Sequence, residues 1–270
     1  MERQKPIGIF DSGVGGLSIA RAIKRILPEE DLVYFADVGF SPYGNKSKKI
    51  IQQRSEDIAN FLINKNCKMI VMACNTATVN SISDLRAKLA IPIVGVEPAI
   101  KPAALQSKTG VIGVLATQQT LESESFQLLK AKYSHKVNIV TKACPKFVSL
   151  VESLEHNYEQ ASEAAEQYIR PLLSQGCDQI VLGCTHFSFL SAVIKDVVGS
   201  EANIIDTAVP VAMELKRRLH SLNLNKTSSE NGIVEFWTSG DLTKAIDSIS
   251  ELWQQDINVF EANLLTSIQK

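Results

Sequence analysis

The 270-residue chain lacks an excess of charge of either sign. It carries 28 Lys and Arg residues against 29 Asp and Glu residues, which gives a net charge of −1 with histidine neutral. Proteins that bind nucleic acid or anionic membranes need concentrated basic charge, and this balance gives no sign of it. We therefore expect neither nucleic acid nor a membrane among the partners of this chain.

Long hydrophobic runs are also absent. The longest apolar segments fall far short of the ~20 residues of a membrane-spanning helix. The first ten residues, MERQKPIGIF, lack the apolar segment of a signal peptide, because charge and Pro6 lead directly into a strand-like run. Hydrophobic residues make up 45% of the chain and charged residues 21%, which is typical of a globular protein with a buried core. We expect a cytoplasmic protein.

Cysteine is scarce, and its arrangement argues against disulfides and metal. An odd number of cysteines without an export signal argues against a disulfide framework, and no CxxC pair occurs. Cys67 and Cys74 are seven residues apart, and so are Cys177 and Cys184. On one extended strand this spacing would separate the members of a pair by roughly 23 Å, too far for one zinc ion to join them. We therefore predict no metal site. The cysteines are Cys67, Cys74, Cys144, Cys177 and Cys184.

Short apolar runs alternate with amphipathic segments of helical length along most of the chain. Near-continuous apolar strands separated by helices indicate a parallel sheet covered on both faces, so we predict an α/β protein of three-layer domains with mainly parallel sheets. The predicted strands are Ile7–Phe10, Leu32–Ala36, Met69–Ala73, Ile93–Val96, Val111–Leu115, Val137–Thr141, Gln179–Leu182, Asn203–Ile205 and Val234–Trp237. The predicted helices include Leu17–Leu27, Lys48–Asn64, Ser81–Leu89, Leu121–Tyr133, Ser162–Ser174 and Val209–Leu222.

An internal repeat divides the chain into two similar units. The segment CKMIVMACNT (67–76) aligns without a gap with CDQIVLGCTH (177–186), and IGIFDSG from Ile7 aligns with IGVLATQ from Ile112. Two pseudo-symmetric α/β units would account for this match. We place the boundary in GVEPAIKPA, where Pro98 and Pro102 interrupt regular structure.

The repeat places Cys74 and Cys184 at equivalent strand ends. In open parallel sheets the ligand crevice lies beyond the carboxyl ends of the strands, so two facing units would put one thiol on each side of a shared cleft. Cys74 alone could be an ordinary buried small hydrophobe, but the coincidence of register favours a functional pair. One thiol could remove a proton from one face of a carbon while the other returns a proton on the opposite face.

Several side chains near the two cysteines could assist them. Asp11 and Asp37 close the first two strands, and His186 lies two residues after Cys184. Each has a structural alternative: Asp11 could cap a helix, Asp37 could serve a turn, and His186 could be a hydrogen-bonded core histidine. Glu152 would ordinarily be interpreted as a solvated helix residue.

The loops after the strands suit a small anionic substrate better than a polymer. Backbone N–H groups at helix N-termini bind carboxylates. Hydroxyl and amide partners stand at the same ends, and they are Ser12, Asn75, Thr76, Thr185 and, as the counterpart of Ser12, Thr117. GVGGLS (13–18) and GFSPYGNKS (39–47) each fall short of a nucleotide-binding motif. We therefore expect no cofactor.

Five segments together resemble the glutamate racemases, cofactor-independent enzymes that make D-glutamate for peptidoglycan. They are IGIFDSGVGGLS, YFADVGFSPYG, MACNTATV, PIVGVEPAIKPA and VLGCTHF, which occur in the family's order between residues 7 and 187. The resemblance implies that Cys74 works on D-glutamate and Cys184 on L-glutamate. It implies assisting roles for Asp11, Asp37, Glu152 and His186. The implied substrate contacts are Asp11, Ser12, Tyr43, Gly44, Asn75, Thr76, Thr185 and His186.

The resemblance also implies a fold and a set of partners. The family has two α/β domains, with the C-terminal segment returning to the first, so we expect domains at 1–98 plus 207–270 and at 99–206. The active site would lie between them, and glutamate would be the small-molecule partner. We further expect a homodimer, although no residue pattern specifies the oligomeric state. Because the first strand begins only about six residues into the chain, we expect no activation by a peptidoglycan precursor.

Two departures and two alternatives accompany the resemblance. VGFSPYG replaces the family's usual Thr-Ala-Arg before Pro-Tyr-Gly, and Ser188 stands where the family typically has proline. A sister enzyme acting on aspartate, hydantoins or maleate is one alternative, because sequence does not give the shape of the cleft. A non-catalytic two-lobed binding protein with incidental thiols is the other.

Overall fold

The computed structural model describes residues 2–153, 158–255 and 257–264. Ten strands and eleven α-helices lie in that part of the chain. The strands are β1 (Ile7–Asp11), β2 (Leu32–Ala36), β3 (Met69–Met72), β4 (Ile93–Gly95), β5 (Val111–Ala116), β6 (Asn138–Ala143), β7 (Gln179–Leu182), β8 (Asn203–Ile205), β9 (Val234–Thr238) and β10 (Val259–Glu261). The helices are α1 (Leu17–Ile26), α2 (Lys48–Asn64), α3 (Asn75–Lys88), α4 (Ile100–Gln106), α5 (Gln118–Glu122), α6 (Glu124–Tyr133), α7 (Pro145–Glu152), α8 (Tyr158–Leu173), α9 (Ser191–Val198), α10 (Ala208–Ser221) and α11 (Leu242–Trp253).

Two parallel sheets organise the chain. The larger has the strand order β10-β9-β2-β1-β3-β4, and the smaller has the order β6-β5-β7-β8. All of the strand pairs in both sheets are parallel. The predicted α/β class with two similar, mainly parallel units is confirmed. Within the described chain, no helix has the length and apolar character needed to cross a membrane.

The internal repeat corresponds to a repeated sheet. The order β2-β1-β3-β4 in the larger sheet matches β6-β5-β7-β8 in the smaller one. The strand that precedes each repeated cysteine, β3 or β7, therefore lies beside the first strand of its own unit, and the two cysteines occupy equivalent places.

The C-terminal part of the chain completes the larger sheet. Strand β9 pairs with β2, and β10 pairs with β9. The smaller sheet draws its strands only from residues 111–205. These memberships agree with a return of the chain to the first unit, while the bounds 1–98, 99–206 and 207–270 stay a prediction.

Burial on both faces explains the apolar strands. Every residue of β1, β2 and β3 is buried, as it must be in a parallel sheet that has helices on both sides. Ile9 and Tyr34 pack in the cluster on one side of the larger sheet, whereas Phe10 and Phe35 pack in the cluster on the other. Alternation along each strand thus fills two cores at once.

The structure differs from the sequence-based prediction in several helices. Helix α3 begins at Asn75, directly after Cys74, rather than at Ser81. Its first turns contain Asn and Thr, which have low helix propensity, but the turn is buried and the Cys74 sulfur accepts a hydrogen bond from the Ala77 N–H. Pro102 does not interrupt regular structure, because it lies in the first turn of α4, where proline is tolerated. The single helix predicted over 121–133 is two helices, separated at Ser123.

A buried ion pair gives the first testable prediction. Lys68, which precedes β3, contacts Glu30, which precedes β2, at 2.5 Å, and both side chains are 0% exposed. Replacing Lys68→Met would leave the Glu30 carboxylate buried without its partner. We expect the free energy of unfolding in urea to fall by about 3–5 kcal/mol.

The matched control is Lys88→Met. Lys88 pairs with Glu56 at the surface, where the side chains are 56% and 31% exposed, so the expected loss is below about 1 kcal/mol. Similar losses for the two variants would contradict this account of the buried pair.

Candidate active site

The two predicted thiols lie at the ends of equivalent strands and are both buried. Cys74 follows β3 and is 5% exposed, and Cys184 follows β7 and is 7% exposed. Both cysteines are unbridged. Thr185, the residue after Cys184, lies 3.5 Å from Asp11 of the first unit, and the Asp11 carboxylate in turn raises the pKa of Cys74. The structure thus brings the two halves of the repeat together at one place.

Cys74 has neutral and acidic neighbours. Its thiol donates to Ser12 Oγ at 3.5 Å, and its sulfur accepts from the Ala77 N–H at 3.4 Å. Burial, followed by the Asp11 carboxylate, raises the pKa of the Cys74 thiol. Cys74 is therefore a protonated thiol at neutral pH.

Asp11 binds the turn before α1 and also reaches the other half of the repeat. Its Oδ2 accepts from the Gly16 N–H at 2.9 Å and the Gly13 N–H at 3.3 Å, at the start of α1. Its Oδ1 accepts from the Oγ1 of Thr185 at 3.5 Å, and Thr185 belongs to the other half of the repeat. Burial raises the pKa of Asp11, while the charge on His186 opposes that rise. Asp11 thus holds the turn that leads into α1 and also faces the site, while α1 itself has no side-chain cap.

Cys184 has a cationic neighbour. His186 is 2% exposed, and its Nδ1 lies 3.6 Å from the Cys184 sulfur while its Nε2 lies 2.6 Å from Glu152 Oε1. Burial alone would lower the pKa of His186, but the Cys184 sulfur and the Glu152 carboxylate raise it well above the ordinary value. His186 is therefore an imidazolium at neutral pH, and both of its ring nitrogens donate.

Glu152 joins the two halves of the molecule. It lies at the end of α7, and its Oε1 also accepts from the Val14 N–H at 3.2 Å. Gly13 and Gly15 permit this approach, since a Cβ at Gly13 would overlap the Glu152 carboxylate and one at Gly15 would overlap the His186 ring. The sequence alone had favoured a solvated helix residue here. The structure instead places Glu152 against His186.

Asn75 is a buried amide without partners. It is 2% exposed, and neither its Oδ1 nor its Nδ2 has a hydrogen bond to the described protein. An unsatisfied buried polar group costs about 1–3 kcal/mol, which is unusual unless something else satisfies it. Asn75 follows Cys74 directly, so this amide points to a polar ligand beside that sulfur.

Three threonine hydroxyls form a cluster next to Asn75, and we call it the threonine triad. Thr76 Oγ1 lies 2.9 Å from Thr117 Oγ1 and 3.1 Å from Thr120 Oγ1, and the latter two are 2.9 Å apart. Thr76 is the second residue of α3 in the first unit, whereas in the second unit Thr117 precedes α5 and Thr120 lies within it. Sequence reasoning named Thr117 as the counterpart of Ser12 but missed Thr120, because a threonine at a helix start is an ordinary capping residue.

Asp37 belongs to a hydrogen-bond network that contains neither thiol. Its carboxylate accepts from Tyr43 Oη at 2.5 Å, from Ser239 Oγ at 2.6 Å, and from Arg54 through two nitrogens. Tyr43 and Gly44 open a short 3-10 helix over Tyr43–Asn45, which places Gly44 against Thr117. Sequence reasoning missed Arg54 and Ser239, since a charged residue within a helix and a serine in a loop read as solvated. A catalytic role for Asp37 stays a prediction.

The remaining predicted contacts are all at the cleft. Ser12 and Thr185 are buried. The hydroxyl of Ser12 lies 3.5 Å from the Cys74 sulfur, and that of Thr185 lies 3.5 Å from the Asp11 carboxylate. Among residues 2–153, 158–255 and 257–264, no group of three His, Cys, Asp or Glu side chains is arranged to hold a metal ion.

Comparison with known proteins identifies relatives along nearly the whole chain. The family model described as Asp/Glu/Hydantoin racemase matches residues 12–215. A glutamate racemase from Herpetosiphon aurantiacus is 46% identical over 239 residues, which cover 88% of this chain and 94% of the relative.

Solved structures agree with that assignment. The crystal structure of glutamate racemase isoform RacE1 from Bacillus anthracis aligns with a TM-score of 0.90 at 30% identity, over 97% of this chain and 98% of the other. Glutamate racemase from Francisella tularensis in complex with D-glutamate aligns with a TM-score of 0.86 at 28% identity, over 97% and 99%. The chain therefore belongs to the Asp/Glu/Hydantoin racemase family and, within it, to the glutamate racemases.

Proposed function

We propose that this chain interconverts L- and D-glutamate by two-base proton transfer at Cα, with Cys74 and Cys184 on opposite faces of the substrate. The observation that carries the proposal is the opposite environment of two equivalent thiols. Cys74 lies beside the Asp11 carboxylate, and Cys184 lies beside the His186 imidazolium. Burial and the Asp11 carboxylate keep Cys74 as the acid, and the His186 cation beside Cys184 can balance the negative charge that the base carries.

The two directions of the reaction use the sulfurs in opposite order. From L-glutamate, the Cys184 thiolate takes the Cα proton, and the Cys74 thiol delivers its own proton to the opposite face. The product is D-glutamate, with Cys184 now a thiol and Cys74 a thiolate. The reverse reaction begins from that state. Asp11 assists at Cys74, while Glu152 and His186 assist at Cys184.

The polar groups near the sulfurs would hold the two ends of the substrate. The unpaired Asn75 amide, with Ser12 and Thr185, suits the ammonium and carboxylate groups at Cα. The threonine triad, with the turn at Tyr43 and Gly44, suits the side-chain carboxylate. Hydroxyl and backbone N–H donors supply hydrogen bonds to both carboxylates.

The wider role follows from the same proposal. The D-glutamate produced would serve peptidoglycan synthesis and thereby cell shape. We place the reaction in the cytoplasm, without a cofactor, and we propose that the enzyme is a homodimer. These points rest on the resemblance to the family and on the sequence.

The first experiment tests the reaction itself. Purified protein with L-glutamate and no added cofactor should drive the optical rotation to zero, because both enantiomers have the same free energy. In D₂O the product should carry deuterium at Cα, which mass spectrometry detects. L-Aspartate serves as the control substrate and should racemise far more slowly. Loss of optical rotation with aspartate but not with glutamate would contradict the proposal.

The second experiment tests the charge on His186. Replacing Glu152→Gln removes one of the two groups that raise the His186 pKa, so that pKa should fall and the ring should lose its proton at a lower pH. The pH titration of the imidazole ¹⁵N shifts, assigned by comparison with a His186→Gln variant, measures this.

The matched control is Glu163→Gln, since Glu163 is an exposed carboxylate on α8. It should leave the His186 titration unchanged. Identical titration curves for the wild-type protein and Glu152→Gln would show that Glu152 does not support the His186 charge. Loss of that charge should also slow racemisation from L-glutamate at neutral pH, because Cys184 would lose its cationic partner.

A further inference from the structure

Arg54 is a buried cation that no sequence motif singles out. It lies on α2, is 1% exposed, and is among the largest fully buried side chains of the described chain. Burying a charge is costly unless it is paired and hydrogen-bonded. The contacts of Arg54 therefore indicate why this position holds a cation.

The Arg54 guanidinium donates two hydrogen bonds to the Asp37 carboxylate. Arg54 Nε donates to Asp37 Oδ2 at 3.0 Å, and Nη2 donates to Asp37 Oδ1 at 2.5 Å. The Phe40 ring lies 3.9 Å from the guanidinium carbon. The third nitrogen, Nη1, has only Asp57 Oδ2 nearby, at 4.0 Å. A two-point contact of this kind fixes orientation as well as charge.

Asp37 has no free position for acid–base chemistry. Besides the two Arg54 nitrogens, Tyr43 Oη donates to Oδ2 and Ser239 Oγ donates to Oδ1. Each carboxylate oxygen thus receives two donors, which fills the usual capacity of the group. The side chain is also 0% exposed.

The same contacts reach the substrate end of the cleft. Tyr43, held through its hydroxyl, opens the turn that continues to Gly44, and a Cβ on Gly44 would lie 3.2 Å from the Thr117 Cβ. Thr117 belongs to the threonine triad. Ser239 holds the beginning of the same loop, because its Oγ also accepts a hydrogen bond from the Gly39 N–H at 3.2 Å. The ion pair therefore anchors the loop that closes one end of the site.

We propose that Arg54 is a positioning residue for substrate binding: its two-point ion pair with Asp37 holds the Tyr43–Gly44 turn against the threonine triad. Asp37 acts in this structure as an anchor and transfers no proton. The inference rests on the proposed function, because it assumes that the turn and the triad bind the side-chain carboxylate of glutamate.

The experiment measures KM and kcat for glutamate in both directions. Arg54→Met should raise KM about tenfold or more, the effect of misplacing one charge-assisted hydrogen bond, while kcat changes by less than about threefold. Arg54→Lys keeps the positive charge but lacks the planar guanidinium that donates two hydrogen bonds at once, so its KM should lie between those of Arg54→Met and the wild type. Arg170→Met removes an arginine from exposed ion pairs on α8 and is the matched control with unchanged kinetics.

Asp37→Asn separates anchoring from proton transfer. The anchor role predicts a raised KM with kcat nearly retained. It also predicts that Asp37→Asn combined with Arg54→Gln costs little more than either change alone, because both act through one contact. A fall in kcat of more than about 100-fold at unchanged KM would assign proton transfer to Asp37 and overturn the proposal.

A folded Arg54→Met protein with wild-type KM would also overturn it. If Arg54→Met does not fold, Arg54→Lys and Ser239→Ala carry the test: raised KM in both supports the proposal, and wild-type KM in both overturns it. The wild-type enzyme distinguishes the two levels of the argument. If the wild-type enzyme does not racemise glutamate, the proposed function fails. If it does, but the variants keep the wild-type KM, this inference alone fails.

Discussion

The hydrogen bond between His186 and Glu152, 2.6 Å long, is the contact on which the arrangement of the cleft depends. Glu152 ends α7, His186 follows β7, and the same carboxylate oxygen accepts from Val14 at the start of α1. One partly buried carboxylate therefore holds the second unit against the first and keeps a positive charge next to Cys184. Moving the two units apart would cost the Val14 contact and hydrate the ion pair.

The two similar halves of the repeat differ in the charge that lies beside their thiols. The repeated sheets place Cys74 and Cys184 at equivalent strand ends, but the neighbours of the two thiols have opposite charge. Identical surroundings would leave the two sulfurs equivalent, whereas these neighbours distinguish the acid from the base when L-glutamate binds. The unpaired Asn75 amide and the threonine triad supply the polar surroundings that an amino acid with two carboxylates would need between the sulfurs.

The sequence predicted the architecture and the reacting pair, because both leave periodic signals. Strands β2, β7 and β8 and helix α2 have the predicted bounds, and the gap-free repeat located both cysteines. Contacts between distant segments leave no such signal. Arg54 looks like a solvated helix residue until Asp37 is placed beside it, and Thr120 looks like part of a cap until Thr76 approaches from the other unit. The early start of α3 depends likewise on tertiary burial, which overrides the low helix propensity of its first residues.

The separate roles of the two thiols are tested most directly by deuterium wash-in with one sulfur removed. In D₂O, Cys74→Ser should place deuterium at Cα of L-glutamate without forming the D-enantiomer, because Cys184 alone can remove and return the proton on its own face. Cys184→Ser should do the same with D-glutamate only. Equal wash-in of both enantiomers by either variant, or racemisation by either at the wild-type rate, would contradict the assignment of one thiol to each face.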